Sequence, residues 1–459
     1  MKSSIRFLTL AVMTIAVGLG AVPRICVAES ADKALWRRAE TACYGNLECM
    51  RHTIREFAPP HGLRGWTDPD ELFRVLQRTG RFRDLGLKDE EGRALVQEVF
   101  ARIESSTARG LRPADLQGRP LPQGTPFEEP DFPYRAPAEF EPLKAVLLRW
   151  PFDWKTMQWA WAQMVETFGK NGVRTAVWVN TLRQRDEAEQ YLQEMNIDTS
   201  HVRWVVEPTD TVWIRDYGPQ VIRALDGADW GVVDFHYYDG RRKDDNTPMV
   251  VAWGMDVPLV DRQKTEVVYT EGGNLNHDGL GCVVYSQRTY KRNPGVDPQE
   301  IDRRIRSAFQ AVKSLVPRDP RLDGTGHVDM FMKIVGPNTV LVGQYGPDQV
   351  DFDVLEECAA LFAQETNGAG QPWRVVRIVQ PDVYYTQFVL PVVRTYTNSL
   401  IVNNAVIVPV YGIAEDEEAL AVYKEVFPDK TIVPLNAEDI IPSGGAWHCV
   451  TMEMATAEP

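Results

Sequence analysis

The chain has 459 residues with a formal net charge of −14, so it lacks the basic surface that phosphate contacts demand, and a nucleic-acid partner is excluded. Hydrophobic residues make up 44% and charged residues 25%, which is ordinary globular composition and excludes disordered and fibrous architectures. The length leaves room for one large α/β unit with an extension.

In chain order, Lys2 and Arg6 precede an uncharged apolar run from Phe7 to Val22, and Cys26-Val27-Ala28 offers a small-x-small site. This reads as a signal peptide over 1–28, giving an exported mature protein with no membrane span left after cleavage. Residues 29–109 are helical by pattern, as in Leu95 to Ile103, with apolar positions three and four apart. Cys43 and Cys49 are the obvious disulfide pair in an oxidising compartment. In one continuous helix their Cα atoms would be about 9 Å apart, so a bond requires a turn at Gly45-Asn46. Pro, Gly and Glu dominate 110–132, a linker, and a separate domain spans 133–459.

Within that domain short β-branched runs alternate with helical stretches over Trp154–Phe168, Asp297–Val312, Val354–Thr366 and Asp416–Phe427, an α/β pattern. Five apolar strands stand out: Val146–Leu148, Val232–Asp234, Val283–Tyr285, Val340–Val342 and Val406–Val408. The later four recur at intervals of roughly fifty to sixty-five residues, which suits strand-plus-helix modules repeated around an axis. An α/β protein without any repeat would also supply apolar hairpins.

Polar chemistry gathers in five glycine-punctuated or aromatic segments. They are Trp213-Ile214-Arg215-Asp216-Tyr217-Gly218-Pro219, Glu271-Gly272-Gly273-Asn274, Gly326-His327-Val328-Asp329, Tyr396-Thr397-Asn398 and Ser443-Gly444-Gly445-Ala446-Trp447-His448-Cys449. A cysteine after a glycine pair sits where backbone can approach substrate closely, a nucleophile's position, although inert packing would also account for it. His327 and Asp329 are two apart, so on a strand both would face one side. Cys282 and Cys358 read as buried small hydrophobes. Seven His with no His-Glu-x-x-His and no Cys-x-x-Cys offer no zinc pattern. A Cys/His amidase would use Cys449 and His327, but the carboxylates Asp216, Glu271 and Asp329 would raise the thiol pKa and handicap it. A cationic substrate reverses that objection, because two carboxylates hold a guanidinium in bidentate geometry and the cation favours the thiolate.

These five motifs, in this order, resemble the family that joins agmatine deiminases to bacterial peptidylarginine deiminases. Pro137-Ala138-Glu139-Phe140-Glu141-Pro142 followed by Trp150-Pro151 looks like that family's usual start. The resemblance implies a pentein fold, a fivefold pseudo-symmetric α/β propeller, with no metal or organic cofactor and a small-molecule or peptide guanidino substrate. It puts the nucleophile on Cys449, the general acid/base on His327, and guanidinium-binding carboxylates on Asp216 and Asp329. It also puts Trp213 against the guanidinium plane, and Asn398 and Glu271 in the site. Glu271 follows the agmatine enzymes, with a scaffold contact as its other reading. The run Asp234 to Asn246 is closer to the peptidylarginine enzymes, in which loop arginines bind the substrate's terminal carboxylate. Arg242 matches one of them and Gly240 stands at the other, with Arg241 as a stand-in; a solvated basic loop is the competing reading. The implied reaction converts a guanidino group to a ureido product and ammonia through a cysteine thiouronium. An agmatine deiminase proper, an amidinotransferase using the same intermediate, and a catalytically silent binding protein are the alternatives.

Overall fold

The computed structural model describes residues 129–455 except 239, 264–265 and 387–389, and stretches of helix between 70 and 97. The leader, Cys43 and Cys49, most of the helical extension and most of the linker lie outside the described residues. The chain divides into two compact units, one of 1–62, 68–109 and 385–390, the other of 63–67, 110–384 and 391–459. In the first, Asp70, Phe73, Arg74, Gln77 and residues 89–94 and 96–97 are helical, as the apolar spacing predicts. Phe73 and Val96 are buried, and Arg93 pairs with Asp70 while lying over the Phe73 ring.

The second unit is built from mixed sheets that repeat one order. Strand Trp230–Asp234 pairs antiparallel with Gln220–Ala224 and parallel with Leu259–Asp261. Cys282–Val284 does the same with Asn276–His277 and Lys313–Leu315, and Thr339–Gln344 with Met332–Gly336 and Arg374–Val379. Ala405–Val410 repeats it with Leu400–Val402 and Thr431–Asn436. A fifth sheet is assembled from distant parts of the chain: Ala145–Arg149 pairs antiparallel with Thr451–Met454 and parallel with Arg174–Val179. A helix lies between each pair of parallel strands: Gln158–Lys170, Thr247–Met255, Pro298–Phe309, Phe352–Gln364 and Glu415–Val426. A parallel pair needs such a crossover, because a tight turn cannot reverse the chain twice.

The five middle strands are the five apolar runs legible in the sequence. They read as unbroken Val, Ile and Leu rather than as an alternation because neither face meets water: Val146, Val232, Val233, Val283, Val284, Val340, Val342, Val406 and Val408 are fully buried. Helix boundaries follow local chemistry. The side chain of Asp297 accepts from the Gln299 amide, Pro298 occupies the first turn, and Ile301, Ile305, Ala308 and Phe309 form the buried face. The expected extension to Val312 fails because Gln310 turns left-handed at φ 48° and the Ala311 amide closes back on Arg306.

Candidate active site

Each of the five sheets carries one polar segment immediately before its first antiparallel strand. Asp216 lies in the short helix Ile214–Tyr217, ahead of Gln220–Ala224. Glu271 opens the 3-10 turn Gly272–Asn274, ahead of Asn276–His277. His327 opens the 3-10 turn Val328–Met330, ahead of Met332–Gly336. Asn398 precedes Leu400–Val402, and Cys449 precedes Thr451–Met454. His327 and Asp329 therefore sit on a turn and not on a strand, where their spacing would have set them on one face. The turn still brings both into one cluster, because their partners come from four other segments.

The cluster is closed by glycine backbone. A Cβ on Gly273 would lie 2.6 Å from His327 Nδ1, 2.9 Å from Asp216 Oδ1 and 3.2 Å from Asp329 Oδ2, so three functional groups crowd one point of main chain. A Cβ on Gly445 would lie 2.6 Å from Cys449 Sγ and 3.1 Å from Trp213 Cζ3. Cys449 Sγ is 3.6 Å from Asp329 Oδ2 and accepts a 3.2 Å hydrogen bond from Asn398 Nδ2. Asn398 Oδ1 accepts from the Ala446 and Cys449 amides at 2.9 and 3.3 Å, which fixes the cysteine's turn. Asn274 does the same one module away, its Oδ1 accepting from Val328 and Ser286. His327 Nε2 lies 2.8 Å from Glu271 Oε2, and its Nδ1 lies 3.7 Å from Asp216 Oδ1. Trp213 packs edge-to-face on Trp154 at 5.5 Å. Cys449, His327, Asp216, Asp329, Glu271, Asn398 and Trp213 are all buried.

Burial alone would push the Asp329 carboxyl up. The hydrogen bond from His448, with the charges of His448, His327 and Arg215, overcomes it and holds the carboxyl below its ordinary range. One oxygen, Oδ2, is shared by His448 and Cys449, while Oδ1 is buried with no hydrogen-bond partner, an acceptor ready for a cationic donor. Cys282 and Cys358 contrast with this setting, since burial pushes both thiols up to about 12. Glu271 does double duty: beside its contact with His327 it is bonded to Tyr238, whose hydroxyl burial pushes up. Asp216, Glu271 and His327 can each offer one ligand atom within 4.8 Å of the others, a set that suits a divalent cation as well as a guanidinium.

The structure thus brings seven of the expected residues together. Arg242 is exposed at the start of helix Arg242–Asp245. Its neighbour Arg241 donates to the Tyr237 hydroxyl at 3.1 Å and lies over Tyr238 at 5.3 Å; Arg292 lies over the same ring at 4.2 Å. Sequence reasoning gave no role to His448, Glu139, Lys333 or Arg215. Three of them stand inside quoted motifs, yet nothing local pairs them: His448 Nε2 reaches Glu139 Oε2, 309 positions earlier, at 3.0 Å. Arg215 spans the site floor, donating to the His448 carbonyl and pairing with Glu453.

Residues 135–455 match the family model of the Porphyromonas-type peptidyl-arginine deiminases. The agmatine deiminase of Pseudomonas aeruginosa is 28% identical over 362 residues, covering 70% of this chain and 95% of that protein. Among solved structures, the agmatine deiminase of Enterococcus faecalis superposes with a TM-score of 0.62 at 22% identity, over 71% of this chain and 96% of the other. The substrate-bound C. jejuni agmatine deiminase gives 0.61 at 16% identity, over 73% and 99%. These likenesses give the chain the mixed α/β pentein fold.

Proposed function

The chain belongs to the Porphyromonas-type peptidyl-arginine deiminase family, and we propose that Cys449 attacks the guanidinium carbon of an arginine-like substrate held between Asp216 and Asp329. The protein is a hydrolase of guanidino C–N bonds, converting the group to a ureido product and ammonia. The observation that carries the residue assignment is the thiol of Cys449 set 3.6 Å from Asp329, whose second oxygen is buried without a hydrogen-bond partner. A planar cation accepted there lies beside the sulfur, so binding supplies orientation as well as charge balance.

In the first half-reaction the thiolate forms a C–S bond, and His327, carrying a proton, transfers it to one nitrogen, so that ammonia leaves the tetrahedral adduct. A thiouronium remains on Cys449. The neutral imidazole of His327 then takes a proton from water as its oxygen bonds to the same carbon. The C–S bond breaks with the sulfur keeping the electron pair, the hydroxyl proton passes to solvent as the C=O forms, and the ureido product departs. Glu271, at 2.8 Å, holds His327 for both transfers. Trp213, sharing the Gly445 surface with Cys449, suits the guanidinium face, a contact worth about 1–2 kcal/mol when desolvated.

The substrate's far end is read as a free α-carboxylate rather than the ammonium of agmatine. Support comes from Arg241 and Arg292, both over Tyr238, which is itself bonded to Glu271; their positive field repels a second cation. Arg242 adds to it from the exposed side of the loop. The repeated strand order, with a site segment in the same place in each sheet, supports a fivefold pseudo-symmetric propeller, and the leader-like first segment supports export. The test is kcat/KM for ureido formation from agmatine, a peptide ending in arginine and its C-terminal amide, with Arg242→Ala and Arg241→Ala alongside. Agmatine as the fastest substrate, with ratios unmoved in both variants, would remove the carboxylate preference. No ureido product from any of the three would remove the deiminase reading.

A further inference from the structure

Behind the nucleophile runs a buried chain of charged groups that the reaction above does not use. His448, next to Cys449 in sequence, lies with Nδ1 2.7 Å from Asp329 Oδ2 and Nε2 3.0 Å from Glu139 Oε2. The same Glu139 oxygen accepts from Lys333 Nζ at 2.5 Å, and its other oxygen accepts from the Ile401 amide at 2.8 Å. Lys333 also donates to the Ser399 carbonyl at 2.9 Å. All of these side chains are buried, with Lys333 wholly so.

We propose that Glu139 and Lys333 are positioning residues that hold His448 as a two-sided donor, so that it orients Asp329 for the guanidinium and keeps a compensating positive charge beside the Cys449 thiolate. Both ring nitrogens of His448 face carboxylate oxygens, which only accept, so both hydrogen bonds form together only when both nitrogens carry protons. Asp329 Oδ2 sits 3.6 Å from the sulfur, where an uncompensated carboxylate would oppose the thiolate; a charged ring 2.7 Å from that oxygen offsets it. Lys333 fixes the far end: burial would push Glu139 up, and the Lys333 ammonium, then His448, hold its carboxyl well below the usual range. Removing one partner from such a buried chain leaves the others uncompensated. Ile401 and Ser399 lie beside Asn398, so the anchor of the chain is the segment that also grips the cysteine's turn.

The test separates this role from plain Coulomb effects by sign. Alkylation of Cys449 by neutral iodoacetamide, read on its peptide by mass spectrometry at fixed pH, reports thiolate reactivity without any substrate. Glu139→Gln removes an anion and leaves Lys333 unopposed, which by distance alone would speed alkylation. If Glu139 acts through His448, alkylation slows about tenfold, KM rises and kcat falls by about the same factor. His448→Asn, which keeps a donor toward Asp329, should recover KM more than thiol reactivity when set against His448→Ala. Should the variants not fold, the wild type decides: selective 15N labelling of its histidines must show protons on both His448 nitrogens. Faster or unchanged alkylation in Glu139→Gln, or a pyridine-like nitrogen on His448, overturns the proposal. The inference rests on the deiminase reading only for KM and kcat, so a protein with no turnover but slowed alkylation would lose that reading and keep this one.

Discussion

Gly445→Ala tests the placement of the nucleophile against the backbone that closes the site. The added methyl would lie 2.6 Å from Cys449 Sγ, 2.7 Å from Cys449 Cβ and 3.1 Å from Trp213 Cζ3. Ordinary contact needs about 3.6 Å, so the cysteine must retreat by about 1 Å, a misplacement that costs about 100-fold in rate when it occurs at a reacting atom. The overpacking should also cost about 1–3 kcal/mol of stability. Asp216 and Asp329 are not among the three nearest atoms to this methyl but Trp213 is, so the loss of affinity should stay within the about 1–2 kcal/mol of that aromatic contact, below the loss in rate. The assay is ureido formation for kcat, with direct binding to the Cys449→Ala background for affinity and denaturant melts for stability. Gly254→Ala is the control, since its Cβ would meet nothing within 4 Å; helix propensity makes it neutral to stabilising by about 0.5–1 kcal/mol. A Gly445→Ala enzyme that keeps kcat within twofold would refute the placement of the sulfur against this backbone.

Cys449→Ala should abolish turnover while binding stays measurable, whereas Cys282→Ala, at a buried thiol pushed up to about 12, should leave kcat unchanged; equal losses would show that the wrong cysteine was assigned. Asp216→Asn and Asp329→Asn should each weaken binding and rate together, because an ion pair at about 4 Å in a medium of effective dielectric about 20 is worth about 4 kcal/mol before compensation. A chelator should do nothing to activity; loss restored by a divalent ion would assign the Asp216, Glu271 and His327 set to a metal instead. Asp244, which accepts from the Asp210 and Thr211 amides, has its carboxyl pushed by burial to about 7. A carboxyl raised on folding binds its proton more tightly folded than unfolded, so its contribution is present below about pH 4 and is lost as pH rises toward 7. Asp244→Asn should therefore flatten the fall in stability over that window by up to about 1.4 kcal/mol per pH unit. Parallel melts of wild type and variant from pH 4 to 8 check it, and an unchanged slope would show that Asp244 does not titrate there.

By itself the sequence determined the middle strand of each of the five mixed sheets, because a strand covered on both faces is an unbroken apolar run, as Val340-Leu341-Val342 and Val406-Ile407-Val408 are. The polar segments were legible too, because they hold glycines such as Gly273 and Gly445 where backbone approaches side chains closely, but the roles expected of Asp216, His327, Asp329 and Cys449 came from the family resemblance. What it could not reach was anything that depends on two distant segments meeting. His327 and Asp329, which a strand would also have set on one face, meet on a 3-10 turn, where they contact Glu271, Asp216 and His448. Nothing local pairs Glu139, Lys333 and His448, as each is an ordinary polar residue until the fold packs and withdraws all three from water. Arg241 against Tyr237 and Tyr238, with Arg242 left exposed, was likewise decided only by how the loop folds over aromatic rings. Periodicity and backbone strain act within a few residues and are written locally. Charge compensation in a buried site acts across whatever the fold brings within a few ångströms, and only the tertiary structure fixes that.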